Sequence, residues 1–303
     1  MDYQLPQVDV WTFGGLRNVL VPNDPYELGS GFSLTKPNEQ LLSLRDTHLM
    51  SEDEMADGAR VGAYLLHKTK QPLDRNMIEN DALQAYQHGL MAFQILKPVQ
   101  TLGFIFQGEI SDNHLRIAQT NWRHGTDAGI WANMRMFDQP LLEQVRALIP
   151  KIFGVMDSDD AEKKNSIILL QLALEHHHPL IAGLLSIMGL EAVFNSWDRN
   201  DFTKKLCSYL GSSTRAFPNW NSPNYKQPEY KIEDLALQLY TLRSKLAHGV
   251  DLRKAARDPK HPVDLAESVY LVPQLEPMPK SIMLAQSAIC IHCQVLRKML
   301  AEL

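Results

Sequence analysis

Three cysteines in 303 residues are too few for a disulfide framework, so the expected setting is a reducing one. The first residues carry no basic, apolar, small-residue leader pattern, and the expected location is the cytoplasm. Excess positive charge is also lacking. The formal net charge is −5, so nucleic-acid binding would need a local basic patch rather than a polycationic surface. No long apolar run goes uninterrupted. The most apolar stretch, Ser166 to Phe194, is broken by Glu175, His176, His177, His178, Pro179 and Glu191. It reads as a buried helical pair or a bent helix rather than a membrane span. There is no internal repeat.

Metal-ligand spacing is scarce as well. Successive helical residues point about 100° apart, so His176, His177 and His178 cannot all ligate one ion from a regular helix. Cys290 and Cys293 bracket His292, but a structural zinc needs four convergent ligands and no second pair exists. These cysteines read as small buried apolar groups. Asp157, Ser158, Asp159 and Asp160 stand before a helical pattern, where they serve as caps and complement the helix dipole without a metal. No metal and no cofactor are expected.

What the chain has is 45% hydrophobic content, enough for one or two sizeable cores. Its first third mixes strands and helix. Val8 to Phe13 and Arg17 to Val21 read as short strands across a Gly14-Gly15 turn. Pro22 to Pro25 makes a turn, and Tyr26 to Leu34 reads as one further strand. Glu39 to Arg45 has the pattern of a short helix, whereas residues 46–75 give no clear pattern. Asp81 to Lys97 is helical by spacing and is stopped by Pro98. Val99 to Ile110 and His114 to Trp122 form a hairpin across Ser111-Asp112-Asn113. From Gln139 onward the texture is helical, with helices over Leu141 to Ile152, within Ser166 to Phe194, over Asp201 to Leu210, before Gly249, and over Ser281 to Leu300. The expected class is α+β, with a small α+β domain over 1–137 followed by an all-α bundle over 138–303.

The chain is organised around Leu239 to Gly249. Ile232, Leu235, Ala236, Leu239, Leu242 and Leu246 recur at helical spacing ahead of its end. Gly249 stands where a left-handed cap is expected, which puts His248 in the last turn. Five helical positions separate Arg243 and His248 by about 140° and about 7.5 Å. They can act together if both project into a groove from its two walls, and a second copy of the helix would make that groove symmetric. An imidazole with a reference pKa of about 6.5 can take or give a proton near neutral pH. The helix C-terminus favours the acid role. Arg243 offers a planar, permanently charged fork for phosphate. A His before a helix-ending Gly also caps the last carbonyls with no catalysis at all.

Arg243, four residues, His248 and then Gly249 resembles the R-x(4–6)-H signature of the HEPN superfamily. Tyr240 and the Arg243-Ser244-Lys245 start look most like its Apea-like bacterial members. Leu185 to Phe194 is similar to the HEPN helix that carries an acidic residue, here Glu191. The resemblance spans about Asp138 to Leu303, and strand-rich leaders precede the helical domain in Apea-like proteins. It implies a HEPN-like helical bundle, a homodimer, and metal-independent cleavage of single-stranded RNA by Arg243 and His248. Ser244, Glu191 and Lys245 would support them. A role in antiviral defence, with a cognate antitoxin or regulatory partner, is implied on the same ground. One position departs: active members often carry Asn, Asp or His after the Arg, where this chain has Ser244.

Glu191 sits among apolar neighbours, where a carboxylate needs a partner. Either Arg243 is that partner and is oriented by it, or Glu191 lies at the helix edge in water. The segment Gly211 to Pro228 carries Arg215, Phe217, Trp220, Tyr225 and Lys226, which suit stacking of unpaired bases and contact with phosphates. The same aromatics equally suit pinning a long loop to the core. After Gly249, Arg253, Lys254, Arg257 and Lys260 join Arg243 and Lys245 against Asp251 and Asp258. That is a phosphate-binding balance in an acidic protein, or a solvated face. The function expected is a HEPN-type endoribonuclease with the leading domain as sensor. The alternative is a non-catalytic HEPN module that binds RNA, a nucleotide or a protein partner.

Overall fold

The computed structural model describes residues 7–37, 61–72, 78–97, 99, 101–111, 114–122, 136–176, 178–196, 198–214, 231–248, 268–269 and 278–303. These form a mixed α+β protein. The strands are β1 (Gln7–Leu16), β2 (Tyr26–Gly29), β3 (Phe32–Thr35), β4 (Ala63–Pro72), β5 (Thr101–Ser111) and β6 (His114–Trp122), with a small ribbon of β7 (Ser268–Val269) and β8 (Met278–Pro279). The helices are α1 (Ile78–Leu96), α2 (Gln139–Asp157), α3 (Ala161–Glu175), α4 (Pro179–Phe194), α5 (Arg199–Leu210), α6 (Ile232–Ala247) and α7 (Lys280–Ala301). The described residues divide into two compact units, one ending at Gly154 and the other starting at Val155.

The first unit is a six-stranded sheet in the order β2-β3-β4-β1-β5-β6, antiparallel throughout. One face stacks the Phe32 ring on His67, with centroids 4.0 Å apart and planes 14° from parallel. Helix α1 lies on that face so closely that a Cβ at Gly89 would fall 2.2 Å from the Phe32 ring. Burial holds the His67 imidazole neutral, with its pKa down to about 4. Since β-strand side chains alternate, Phe13, Tyr64, Leu66 and Phe106 gather on the other face with Trp11 and Val61.

Three expectations for this unit need correction. Gly14 and Gly15 do not turn the chain: they continue β1 opposite Leu65 and Tyr64, and the pairing with β5 shifts register just beyond Gly14. A glycine within a strand marks such irregularity as readily as a turn. Second, Tyr26 to Leu34 is two strands, because Gly29, Ser30 and Gly31 have φ of 84°, 50° and 78° and reverse the chain. Third, residues without a clear pattern contain β4, which lies between β3 and β1. The short helix expected over Glu39 to Arg45 falls outside the described residues. The hairpin of β5 and β6 matches the reading of the sequence.

The expected break between 137 and 138 lies ahead of α2, whereas the units divide inside that helix. Phe137 bonds both ways to the segment after β1, through Phe137 N–H to Asn18 O at 2.8 Å and Leu20 N–H to Phe137 O at 3.1 Å. Its ring packs edge-on to Phe93 of α1 at 5.4 Å. Tyr26 donates to Glu143 at 2.6 Å, and Phe153 lies 6.1 Å from Phe32. Most of α2 therefore belongs with the sheet.

The second unit is helical around a core of Ile187, Leu190, Phe202, Leu206, Leu235, Leu239, Leu242, Ala288, Ile291 and Val295, with Ile232, Ala236, Leu284, Ala285 and Cys290 between them. Asp160 caps α3 by accepting from Lys163 N–H at 3.1 Å and pairs with the Lys163 ammonium at 2.9 Å, which holds its carboxyl below the usual range. No group of metal-ligating side chains occurs among the described residues. The histidine run does not lie on a regular helix. His176 is the C-cap of α3 and His178 the N-cap of α4, because Pro179 starts the next helix. His177 falls outside the described residues.

Small residues let α7 approach α4. A Cβ at Gly183 would fall 2.5 Å from Ala285 Cβ, and one at Gly189 would fall 2.2 Å from His292 Cε1. The fully buried His292 shares a 2.8 Å hydrogen bond with the Ser166 hydroxyl of α3. Burial drives its pKa down to about 3, so the ring is neutral. Cys290 and Cys293 on the same helix are buried, and their thiols are pushed up by desolvation. Gly183→Ala and Gly189→Ala are each expected to destabilise the full chain by about 1–3 kcal/mol through overpacking. Gly154→Ala, whose new methyl meets nothing within 4 Å, is expected to be neutral or to stabilise by up to about 1 kcal/mol through helix propensity. Thermal unfolding of the three variants checks the contrast.

Candidate functional site

The site is built at the C-terminal end of α6. Ile232, Leu235, Ala236, Leu239 and Leu242 bury one face of this helix, which leaves Tyr240, Arg243, Ser244 and Lys245 half-buried and His248 exposed. The helix ends at Ala247, with His248 as its C-cap at φ −89°, ψ 7°. Its backbone N–H donates to Ser244 O at 3.1 Å, which ties the cap to the preceding turn. Gly249, the expected left-handed cap, falls outside the described residues.

Arg243 and Glu191 come together. The Arg243 Nε lies 3.2 Å from Glu191 Oε2, with side chains 33% and 12% exposed. Of the two readings of Glu191, the pairing holds and the free helix edge does not. The contact through Nε is electrostatic rather than a well-aimed hydrogen bond, since that buried atom makes no bond of good geometry. Glu191 is the one charged residue on α4. Burial raises its carboxyl above the usual range, and the positive charge of Arg243 partly opposes that rise.

The ring of Tyr240, one turn before Arg243, lies 5.7 Å from the guanidinium carbon. That ring in turn packs at 5.9 Å and 46° against Phe202 of α5, which is fully buried. In the sequence only the family resemblance marks Tyr240. The i, i+3 spacing of an aromatic and an arginine is the signal that marks the contact.

Ser244 and His248 are joined through their backbones. Among the described residues the Ser244 hydroxyl makes no hydrogen bond to the imidazole, so the orienting role expected of that side chain is not seen. Lys245 is half-buried in the last turn of the helix, a favourable place for a cation. Arg215, Trp220, Tyr225, Arg253, Lys254 and Arg257 all fall outside the described residues, as do Phe217, Lys226 and Lys260.

The arrangement offers a guanidinium held between a carboxylate and an aromatic ring, and an exposed imidazole one turn further on. The former suits an oxyanion, the latter proton transfer. Compared with known proteins, the chain matches no family model, no curated protein and no solved structure. Among the described residues no single helix is long and apolar enough to cross a membrane.

The raised carboxyl has a testable sign. Folded Glu191 holds its proton more tightly than the unfolded chain, where the pKa is about 4.3. Its contribution to stability is therefore fully present below that value and is lost as pH rises through the folded one. The stability of the parent minus that of Glu191→Gln should fall as pH rises from 4 to 7, and fall further in an Arg243→Ala background. Urea unfolding across that range checks it; a difference that is flat or rises with pH contradicts the burial argument.

Proposed function

We propose that the protein is a HEPN-type, metal-independent endoribonuclease in which Arg243 and His248 act in a groove between two copies of the chain. The observation that carries this reading is the Glu191–Arg243 pair at 3.2 Å, one turn from an exposed cap histidine. It joins the acidic residue of one apolar helix to the arginine of the motif helix, as the resemblance implies. Arg243 neutralises the scissile phosphate and the charge that develops on it. The 2′-oxygen bonds to phosphorus as the bond to the 5′-oxygen breaks, and His248 gives its proton to that leaving oxygen. The base that takes the 2′-hydroxyl proton in a symmetric groove is the second copy's His248. The products are a 2′,3′-cyclic phosphate and a 5′-hydroxyl.

On this reading the helical unit is HEPN-like, and the strand-bearing unit is a sensor or regulator. The setting is cytoplasmic, and the role is defence, with a cognate antitoxin or other regulatory partner. A second reading has an observation in its favour. His248 is exposed, and among the described residues its ring is not oriented by Ser244, which suits a module that binds RNA, a nucleotide or a protein without turnover.

Incubation of the pure protein with mixed-sequence single-stranded RNA in EDTA separates the two. Cleavage that leaves cyclic-phosphate ends and falls roughly 10²–10⁴-fold in His248→Ala is the expected result. RNA binding without cleavage, retained in His248→Ala, selects the binding module instead.

A further inference from the structure

An ion pair alone does not fix a guanidinium. Arg carries about 2 kcal/mol of rotamer entropy, and a contact through Nε without an aligned N–H leaves the planar group free to pivot about its stem. The Glu191–Arg243 contact at Nε is of this kind. A second constraint is present on the same helix. The Tyr240 ring approaches the guanidinium to 5.7 Å, within the range of about 6 Å over which a cation is drawn to an aromatic face. Tyr240 is not itself loose, because Phe202, anchored in the core of the helical unit, supports its ring.

We propose that Tyr240, backed by Phe202, is the positioning residue that holds the Arg243 guanidinium against Glu191 and sets the plane it presents to an anion. The carboxylate supplies the charge that keeps the cation at this end of the bundle. The ring supplies the plane. The chain of support runs from α5 through Phe202 and Tyr240 to Arg243, and from there to Glu191 on α4. Three helices thus determine the direction of one fork, which is what bidentate recognition of a phosphate requires. Only the consequence for cleavage rests on the ribonuclease reading; the positioning does not.

The Glu191 carboxyl is the reporter, because the Arg243 charge beside it lowers a pKa that burial has raised. Carbon-13 carboxyl NMR of the full chain would follow its titration in the parent, Tyr240→Phe, Tyr240→Leu, Tyr240→Met and Arg243→Ala. Tyr240→Phe keeps the ring and is expected to leave the titration in place. Tyr240→Leu, and Tyr240→Met should the first fold poorly, are expected to move it upward toward the position seen in Arg243→Ala. A Glu191 titration that stays at the parent value without the ring, yet moves in Arg243→Ala, overturns the proposal.

Where the parent cleaves RNA, loss of the ring should also lower kcat roughly ten- to a hundredfold while Tyr240→Phe retains it. Where the parent does not cleave, the ribonuclease reading fails and the carboxyl titration still decides the positioning role.

Discussion

A carboxylate on an otherwise apolar helix is the constraint from which the rest of the helical unit follows. Glu191 is the one charged residue of α4, and water reaches little of its side chain. Leaving that charge unpaired would cost several kcal/mol, so α6 must bring a cation to it. Arg243 is that cation, its Nε 3.2 Å from the carboxylate. His248 closes the same helix, so the helix that answers the buried acid also presents an imidazole to solvent. A structural need and a chemical opportunity meet at one helix end.

The position of α4 is itself determined from the other side. Gly183 and Gly189 remove the side chains that would keep α7 away, and the His292 ring occupies the space beside Gly189. That ring is neutral and bonded to Ser166, so it also links α7 to α3. Close approach at two glycines holds α4 against α7, and Glu191 lies two residues beyond Gly189 on the same helix.

Legibility in the sequence followed the physics of each signal. Long periodic helices such as α1 and α7 were plain because apolar residues recur every turn and burial on one side needs no other information. The β5–β6 hairpin was plain because a polar turn separates two alternating runs. Glu191 drew attention for the same reason that it matters: a charge in an apolar run needs an answer, and Arg243 was the available one. Glycine is ambiguous in both directions. Gly14 and Gly15 lie in a strand where a turn was expected, while Gly29 and Gly31 turn the chain where a strand was expected. The residue type permits both, and only pairing with neighbouring strands decides between them. The histidine run spans a break between helices rather than one regular helix, and Pro179 is the signal of the new start. Phe202 behind Tyr240 could not be read at all, because contact between α5 and α6 is tertiary.

The coupling between Glu191 and Arg243 tests this account most directly. A double-mutant cycle of Glu191→Gln and Arg243→Ala, read by urea unfolding of the full chain at pH 7, isolates the pair from everything else each side chain does. The account predicts a favourable coupling of about 0.5–3 kcal/mol, the range found for residues in direct contact. Single-variant effects that simply add, to within about 0.3 kcal/mol, would mean that the buried acid does not position the motif arginine, and the central claim would be wrong.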